Sequence, residues 1–465
     1  MSFLIVLAAL CFLMFVAYRG YSVILFAPIA ALGAVLLTDP TLVAPMFTGL
    51  FMDKMVGFLK LYFPVFLLGA VFGKLIEISG FSKSIVAATI KVVGAQRAML
   101  SIVLVCALLT YGGVSLFVVV FAVYPFAAEL FRQSDIPKRL IPGTIALGAF
   151  TFTMDALPGT PQIQNIIPTS FFGTTGWAAP VLGTLGGVFI LILGMCYLEW
   201  RRRVAVRAAE GYGADLRNEP EPFRGDHLAH PLVAILPLIL VGVSNFAFTR
   251  LIPGFYGQTQ SFIPAVIGNP APVVQEVSKI AAIWAVQGAL LVGIVAVILF
   301  AWKPVITSFA EGTKSAIGGA LLASMNTASE YGFGAVIAAL PGFLVVANAL
   351  QSIPDPLVNE AVSVTALAGI TGSASGGMSI ALAAMADSFI ANANAAGIPM
   401  EVLHRVAAMA SGGMDTLPHN GAVITLLAVT GLTHRQSYKD VFAITVIKTL
   451  AVFFIIGLYY ATGLV

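Results

Sequence analysis

Two stretches of this chain are apolar for longer than one membrane crossing, and each is interrupted at its middle. Ala98 to Ala128 holds no charged residue, yet Tyr111-Gly112-Gly113 stands halfway. Ala361 to Ala386 is equally free of charge, with Gly372-Ser373-Ala374-Ser375-Gly376-Gly377 at its centre. Two further apolar runs are broken by Asp155-Ala156-Leu157-Pro158-Gly159 and by Asp415-Thr416-Leu417-Pro418-His419. Inside lipid, non-helical backbone survives only where protein buries it or where it lines a cavity. The interrupted runs therefore require a site enclosed by protein within the membrane. Composition agrees: 59% of the 465 residues are hydrophobic and 10% are charged, where a soluble protein carries roughly 25% charge. This excludes a soluble enzyme and a disordered chain. A net charge of +3 gives no footprint for a nucleic-acid partner. The expected fold is an all-α polytopic membrane protein; at about 20 residues per span it has room for ten or more crossings.

Cys11, Cys106 and Cys196 lie in apolar runs without a CxxC pair, so they read as packing thiols, and no metal or cofactor is expected. Met1 to Tyr18 lacks a basic leading segment and a small-residue cleavage site, and reads as a first membrane helix. The expected division is N-terminal membrane helices over 1–55, a first repeat over 56–199, a cytoplasmic loop over 200–228, linking helices over 229–301 and a second repeat over 302–465. The first repeat holds a hairpin at 98–131 and a broken helix at 138–172. The second holds helices at 305–328 and 333–353, a hairpin at 358–392 and a broken helix at 401–430.

The repeat rests on ordered matches. Met154-Asp155-Ala156-Leu157-Pro158 parallels Met414-Asp415-Thr416-Leu417-Pro418, Ile136-Pro137 parallels Ile398-Pro399, and Gly112-Gly113-Val114-Ser115 parallels Gly376-Gly377-Met378-Ser379. Gly80-Phe81 and Gly332-Phe333 form a weaker fourth pair. Basic residues favour the cytoplasmic side. Lys91, Arg97, Arg132, Lys138 and Arg139 flank the first hairpin, whereas the flanks of the second carry no basic residue, so the two copies read as inverted. Arg19 and Arg201–Arg203 then lie inside, and the N-terminus outside. Inverted repeats with re-entrant hairpins and broken helices are the architecture of secondary transporters, whose half-helix N-termini suit anions. The two hairpin tips and two breaks are expected to converge near the midplane.

Asp155 and Asp415 are the leading candidates to carry a coupling proton or to ligate a sodium ion, because a carboxylate in the hydrocarbon region is costly; capping of a helix break is the bland alternative. His419, the lone histidine expected in the core, joins them as a proton carrier. Thr160, Gln162, Gln164 and Asn165 follow the first break and Asn420 the second, as candidates to bind a substrate hydroxyl or carboxylate. Ser115, Ser373, Ser375 and Ser379 at the hairpin tips serve either substrate or interhelix hydrogen bonds. Gly112, Gly113, Gly376 and Gly377 permit tight turns and close ligand approach. Asp387, Asn326 and Glu330 also read as buried polar groups, without counterparts in the other copy. No P-loop is present, so ATP is not the expected energy source. An intramembrane aspartyl protease and an ion channel are remote alternatives, since neither explains the symmetric breaks.

With Leu157-Pro158-Gly159-Thr160-Pro161-Gln162, the glycine-rich hairpins and the basic loop near Arg201, the chain resembles the gluconate permease (GntP) family of proton symporters, within the ion-transporter superfamily. The resemblance covers nearly the whole chain and is strongest over 108–175 and 370–435. It implies a scaffold and a transport domain, elevator motion, a homodimer, proton coupling and residence in a bacterial-type inner membrane. Gluconate-type members carry histidine-rich stretches at both breaks. Here those positions hold Phe150, Phe152, Met154 and Met414, which fits the hydroxybutyrate-permease-like branch and a small hydroxy acid.

Overall fold

The computed structural model describes residues 2–19, 21–94, 97–213, 217–220, 228–265, 271–345, 353–418 and 420–465. Among them, seven helices are long and apolar enough to cross a membrane, and shorter apolar helices accompany them. The chain is an all-α polytopic membrane protein.

Two N-terminal helices, α1 (Ser2–Tyr18) and α2 (Val23–Thr38), lead into a long helical segment, α3 (Pro40–Ile78). Gly80 turns the chain at φ +74° into a short helix, α4 (Phe81–Val93), which the sequence reading did not anticipate. Hairpin one follows as α5 (Ala98–Tyr111) and α6 (Leu116–Gln133), reversed at Gly113, whose φ of +96° is open to glycine alone at little cost. The first broken helix consists of α7 (Ile141–Ala149), the single turn α8 (Phe152–Asp155) and α9 (Ile163–Phe172). Then come α10 (Pro180–Arg207), α11 (Pro231–Tyr256), a small antiparallel pair β1 (Thr259–Phe262) and β2 (Val273–Glu276), and α12 (Val277–Phe300).

The second half repeats this order. A long helix, α13 (Trp302–Ala338), precedes hairpin two, α14 (Pro356–Thr371) and α15 (Ala374–Ala395). The second broken helix is α16 (Met400–Ser411) and α17 (Gly421–Thr430), and α18 (His434–Thr462) closes the chain. The long helices α3 and α13 pack along each other, with α12 against α3 and α2 against α13. The broken helices pack together through α9 and α16, while α10 lies along α18.

Three sequence expectations are corrected. Among the described residues, the expected helices at 305–328 and 333–353 are not separate: α13 runs unbroken through Gly332-Phe333, and residues 346–352 of the second lie outside the described residues. The fourth repeat match fails with it, since Gly80 is a left-handed turn and Gly332 is mid-helix against Phe51. Asp387 is exposed on α15 rather than buried.

Hairpin two is held by caps and by close backbone approach. Asp355 Oδ1 accepts from the Val358 amide at 2.8 Å, and Ser373 Oγ accepts from the Gly376 amide at 3.1 Å. Gly377 lies so near the Ala368 backbone that a Cβ would overlap it. Gly377→Ala is therefore expected to spread the two arms and lower stability by about 1–3 kcal/mol, the usual cost of overpacking a tight contact. Thermal unfolding of the detergent-purified protein measures this; an unchanged midpoint would mean that the arms do not touch.

A polar strap follows α10. Lys138 Nζ donates to Arg217 O at 2.5 Å and pairs with Glu219 at 2.7 Å. Tyr124 donates to Asn218 O at 2.7 Å, and Asn218 Nδ2 donates to Ala428 O at 2.8 Å. The strap thus fastens hairpin one to the ends of both broken helices. Arg139, donating to Glu210, holds that carboxyl below its ordinary range.

Candidate functional site

Both breaks occur where Pro and Gly leave backbone groups without helical partners, and side chains from elsewhere satisfy them. At break one, Tyr111 OH donates to Pro158 O at 2.8 Å, and Asn245 Nδ2 donates to Gly159 O at 3.1 Å. Thr160 Oγ1 donates to Thr153 O at 2.8 Å. At break two, Thr449 Oγ1 donates to Gly413 O at 2.8 Å, and Tyr438 OH donates to Thr416 O at 3.1 Å.

The two breaks meet. Gly412 of the second lies against the Asp155 carboxylate of the first, with no room for a Cβ between them. Lys448, buried in α18, bridges them: its Nζ donates to Asp415 Oδ1 at 2.5 Å and to Phe150 O at 3.1 Å. Arg405, fully buried in α16, reaches across to break one. Its Nη1 donates to Asp155 O at 2.9 Å and to Asn165 Oδ1 at 3.0 Å, and its Nη2 donates to Ala178 O at 2.7 Å. His404, also fully buried, sits beside it, with Nδ1 2.6 Å from Thr174 Oγ1 and Nε2 3.3 Å from Asn165 Oδ1. Asp415 is thus ion-paired with Lys448, while Arg405 holds the backbone oxygen of Asp155 rather than its carboxylate. Asp155 Oδ1 has no partner among the described residues.

Each hairpin is tied to its own break. Gln162 Nε2 donates to Thr110 O at 2.7 Å and to Val114 O at 3.3 Å of hairpin one. Asn420 Nδ2 donates to Gly372 O of hairpin two at 2.7 Å, while its Oδ1 caps α17 at the Val423 amide. The expected convergence of all four elements is realised differently. The breaks meet, and each tip also seats on a further helix: Gly112 faces Leu238, Gly113 faces Pro161 of break one together with Leu290 and Phe72, and Gly376 faces Glu330. Beside Tyr111 and Gly112, a cavity of about 420 Å³ is walled by Trp177, Leu238 and Phe246.

The candidate residues divide accordingly. Asp415 pairs with Lys448, whereas the Asp155 carboxylate lies against Gly412 of the other break. Thr160, Asn165 and Asn420 spend their hydrogen bonds inside the protein, Asn165 Nδ2 on Thr160 O and Gly176 O at 2.9 and 2.8 Å. Ser115 begins α6, Ser373 caps α15, and Ser375 Oγ lies 3.2 Å from Thr327 Oγ1. Gln164 Oε1 and Ser379 Oγ are buried without partners. Asn326 is half-buried on α13. His419 lies outside the described residues. The expectation of a single core histidine is corrected by His404, which is fully buried. Sequence reasoning missed Arg405, His404 and Lys448, although Lys448 is the single charge between Val441 and Val465 and so carried a signal. It also missed Glu360, fully buried on α14 with neither carboxyl oxygen partnered.

Broken helices that meet inside the membrane region, two hairpins docked on them and a buried Lys448–Asp415 pair define a polytopic membrane protein of the transporter class. The chain is 60% identical, over 474 residues and the full length of both proteins, to "Uncharacterized transporter YxjC" of Bacillus subtilis (strain 168). It belongs to the family of that transporter. No family model matches the chain. Among solved structures it is similar in fold to the YdaH transporter of Alcanivorax borkumensis, whose crystal structure revealed an unusual topology. That likeness has a TM-score of 0.51 at 15% identity and covers 92% of this chain and 90% of the other.

Proposed function

We propose that this transporter takes up a small organic monocarboxylate together with a proton, the cargo being 3-hydroxybutyrate or a related hydroxy acid. The observation that carries the reading is the Lys448–Asp415 pair where the breaks meet. Protonation of Asp415 would release the ammonium of Lys448, which would then receive the cargo carboxylate. Proton and anion would enter as a neutral pair, avoiding an uncompensated buried charge. Asp155, with one free oxygen, stands ready to accept the cargo hydroxyl. A small cargo is favoured over gluconate because Thr160, Asn165 and Asn420 are already engaged with the backbone, leaving few groups for five hydroxyls. The GntP-like motifs support proton coupling, a homodimer and elevator motion of the hairpins and broken helices against α3 and α13. The basic residues after α10 support a cytoplasmic strap and an outward N-terminus.

The test is uptake of labelled 3-hydroxybutyrate and gluconate into proteoliposomes under a pH gradient, with sodium absent. Accumulation of 3-hydroxybutyrate is expected, competed by its close relatives. Uptake that requires sodium would overturn proton coupling, and preference for gluconate would overturn the cargo. Asp415→Asn mimics the protonated carboxyl, so it is expected to retain exchange of cargo but lose gradient-driven accumulation. Normal accumulation by this variant would remove Asp415 from the coupling step.

A further inference from the structure

Glu330 on α13 is buried, and its Oε2 has no hydrogen-bond partner among the described residues. Gly376, in the first turn of α15, faces both Oε2 and the hydroxyl of Ser373, the N-cap of that helix, without room for a Cβ. The surroundings offer hydroxyls rather than cations. Thr327 and Ser375 lie 3.2 Å apart across the α13–α15 contact, and Ser379, one turn beyond Gly376, is buried and unpartnered.

The elements packed on α13 bring no counter-charge among the described residues. Asp53, Lys54 and Lys60 of α3 are exposed, and Lys74 pairs with Glu77 at 2.8 Å. Tyr62 of α3 is engaged by Ile167 O and Ser170. Asp387 of α15, Lys279 of α12, and Lys303, Glu311 and Lys314 of α13 itself are exposed, while α2 has no charged residue. An ionised carboxylate enclosed this way would lose its hydration with no cation to offset it, only the N-terminal turn of α15. The corresponding seat of hairpin one is apolar: its tip rests on Phe72, Leu238 and Leu290, and Gly73 of α3 faces Val114 and Ser115. The carboxyl is thus built into one hairpin seat and not the other.

We propose that Glu330 is a second proton-binding site, separate from the Asp415–Lys448 pair, that latches hairpin two to α13. With the proton bound, the neutral carboxyl stays packed against the first turn of α15 and the hairpin stays seated. When the proton leaves to solvent, the bare carboxylate needs water, and the hairpin lifts from α13 to admit it. The latch itself is independent of the cargo; only its part in a transport cycle rests on the function proposed above.

The latch is tested by thiol labelling. Ser375→Cys is made in a protein whose Cys11, Cys106 and Cys196 are replaced, and its maleimide labelling is divided by that of Asn392→Cys, an exposed position on the same helix. Opening coupled to release of one proton makes this ratio climb roughly tenfold per pH unit until it levels off. Adding Glu330→Gln is expected to leave the ratio low and flat, while Glu330→Asp retains the climb. An equal climb with Glu330→Gln overturns the proposal. Infrared difference spectra give a readout free of labelling: the protonated-carboxyl band lost on raising pH must shrink in Glu330→Gln, and an unchanged band is the second overturning result. Failure of the wild type to take up 3-hydroxybutyrate would count against the cargo and leave the labelling result intact.

Discussion

Lys448→Met is expected to destabilise the protein by roughly 3–5 kcal/mol, the typical cost of breaking a buried ion pair from one side. The long aliphatic stem is nearly conserved by methionine, so the loss is electrostatic rather than a cavity. Asp415 would be left buried with its main counter-charge gone, and Phe150 O would lose its donor at the unwound end of α7. Combining Lys448→Met with Asp415→Asn removes both charges and should restore most of the stability, because a neutral pair of similar volume carries no desolvation penalty. Thermal unfolding of the two singles and the double in detergent measures the coupling. A single variant as stable as the wild type would mean that Asp415 is not ionised against Lys448, which would sink the charge-exchange step as well. The double variant should fold yet fail to concentrate cargo.

Arg405→Met is expected to have a still larger effect on folding. Its guanidinium serves three acceptors: Asp155 O, Asn165 Oδ1 and Ala178 O. Removing it takes this donor from Asp155 O and Ala178 O in the buried interior, at about 1–3 kcal/mol for each buried group left unsatisfied, and leaves Asn165 Oδ1 with His404 Nε2 alone. The sum is a large part of the 5–15 kcal/mol that typically separates folded from unfolded protein. Arg405→Lys should recover little, since one ammonium cannot reproduce a planar fork aimed at separate oxygens. The check is the yield of monodisperse protein and its unfolding midpoint; wild-type behaviour of Arg405→Met would show that break one holds its shape without this clamp.

The pairing of charges also explains which readings of the sequence succeeded. Asp155 and Asp415 were conspicuous because a carboxylate in an apolar run must be compensated or used. Their partners were less visible. Lys448 lies 33 residues after Asp415 and Arg405 lies 250 after Asp155, and no local pattern encodes such distances. Thr160, Asn165 and Asn420 looked like ligand groups, but polar side chains beside a helix break have competing work in satisfying freed carbonyls. Glu330 lacked a counterpart in the other repeat and so drew little weight, yet that asymmetry is what distinguishes the seats of the two hairpins.

By itself, the sequence determined the class of fold. Apolar runs of membrane length force helices, because backbone groups in lipid must bond within their own segment, and glycine and proline at mid-run force breaks that protein must enclose. Those are local constraints and can be read locally. Only the tertiary structure decided that the breaks meet, that Lys448 pairs with Asp415 while Arg405 clamps the backbone of break one, and that one hairpin tip rests on apolar side chains while the other rests on a carboxyl. Such contacts are fixed by the packing of helices far apart in the chain, where many arrangements bury similar apolar area and the pairing of a few charges selects among them.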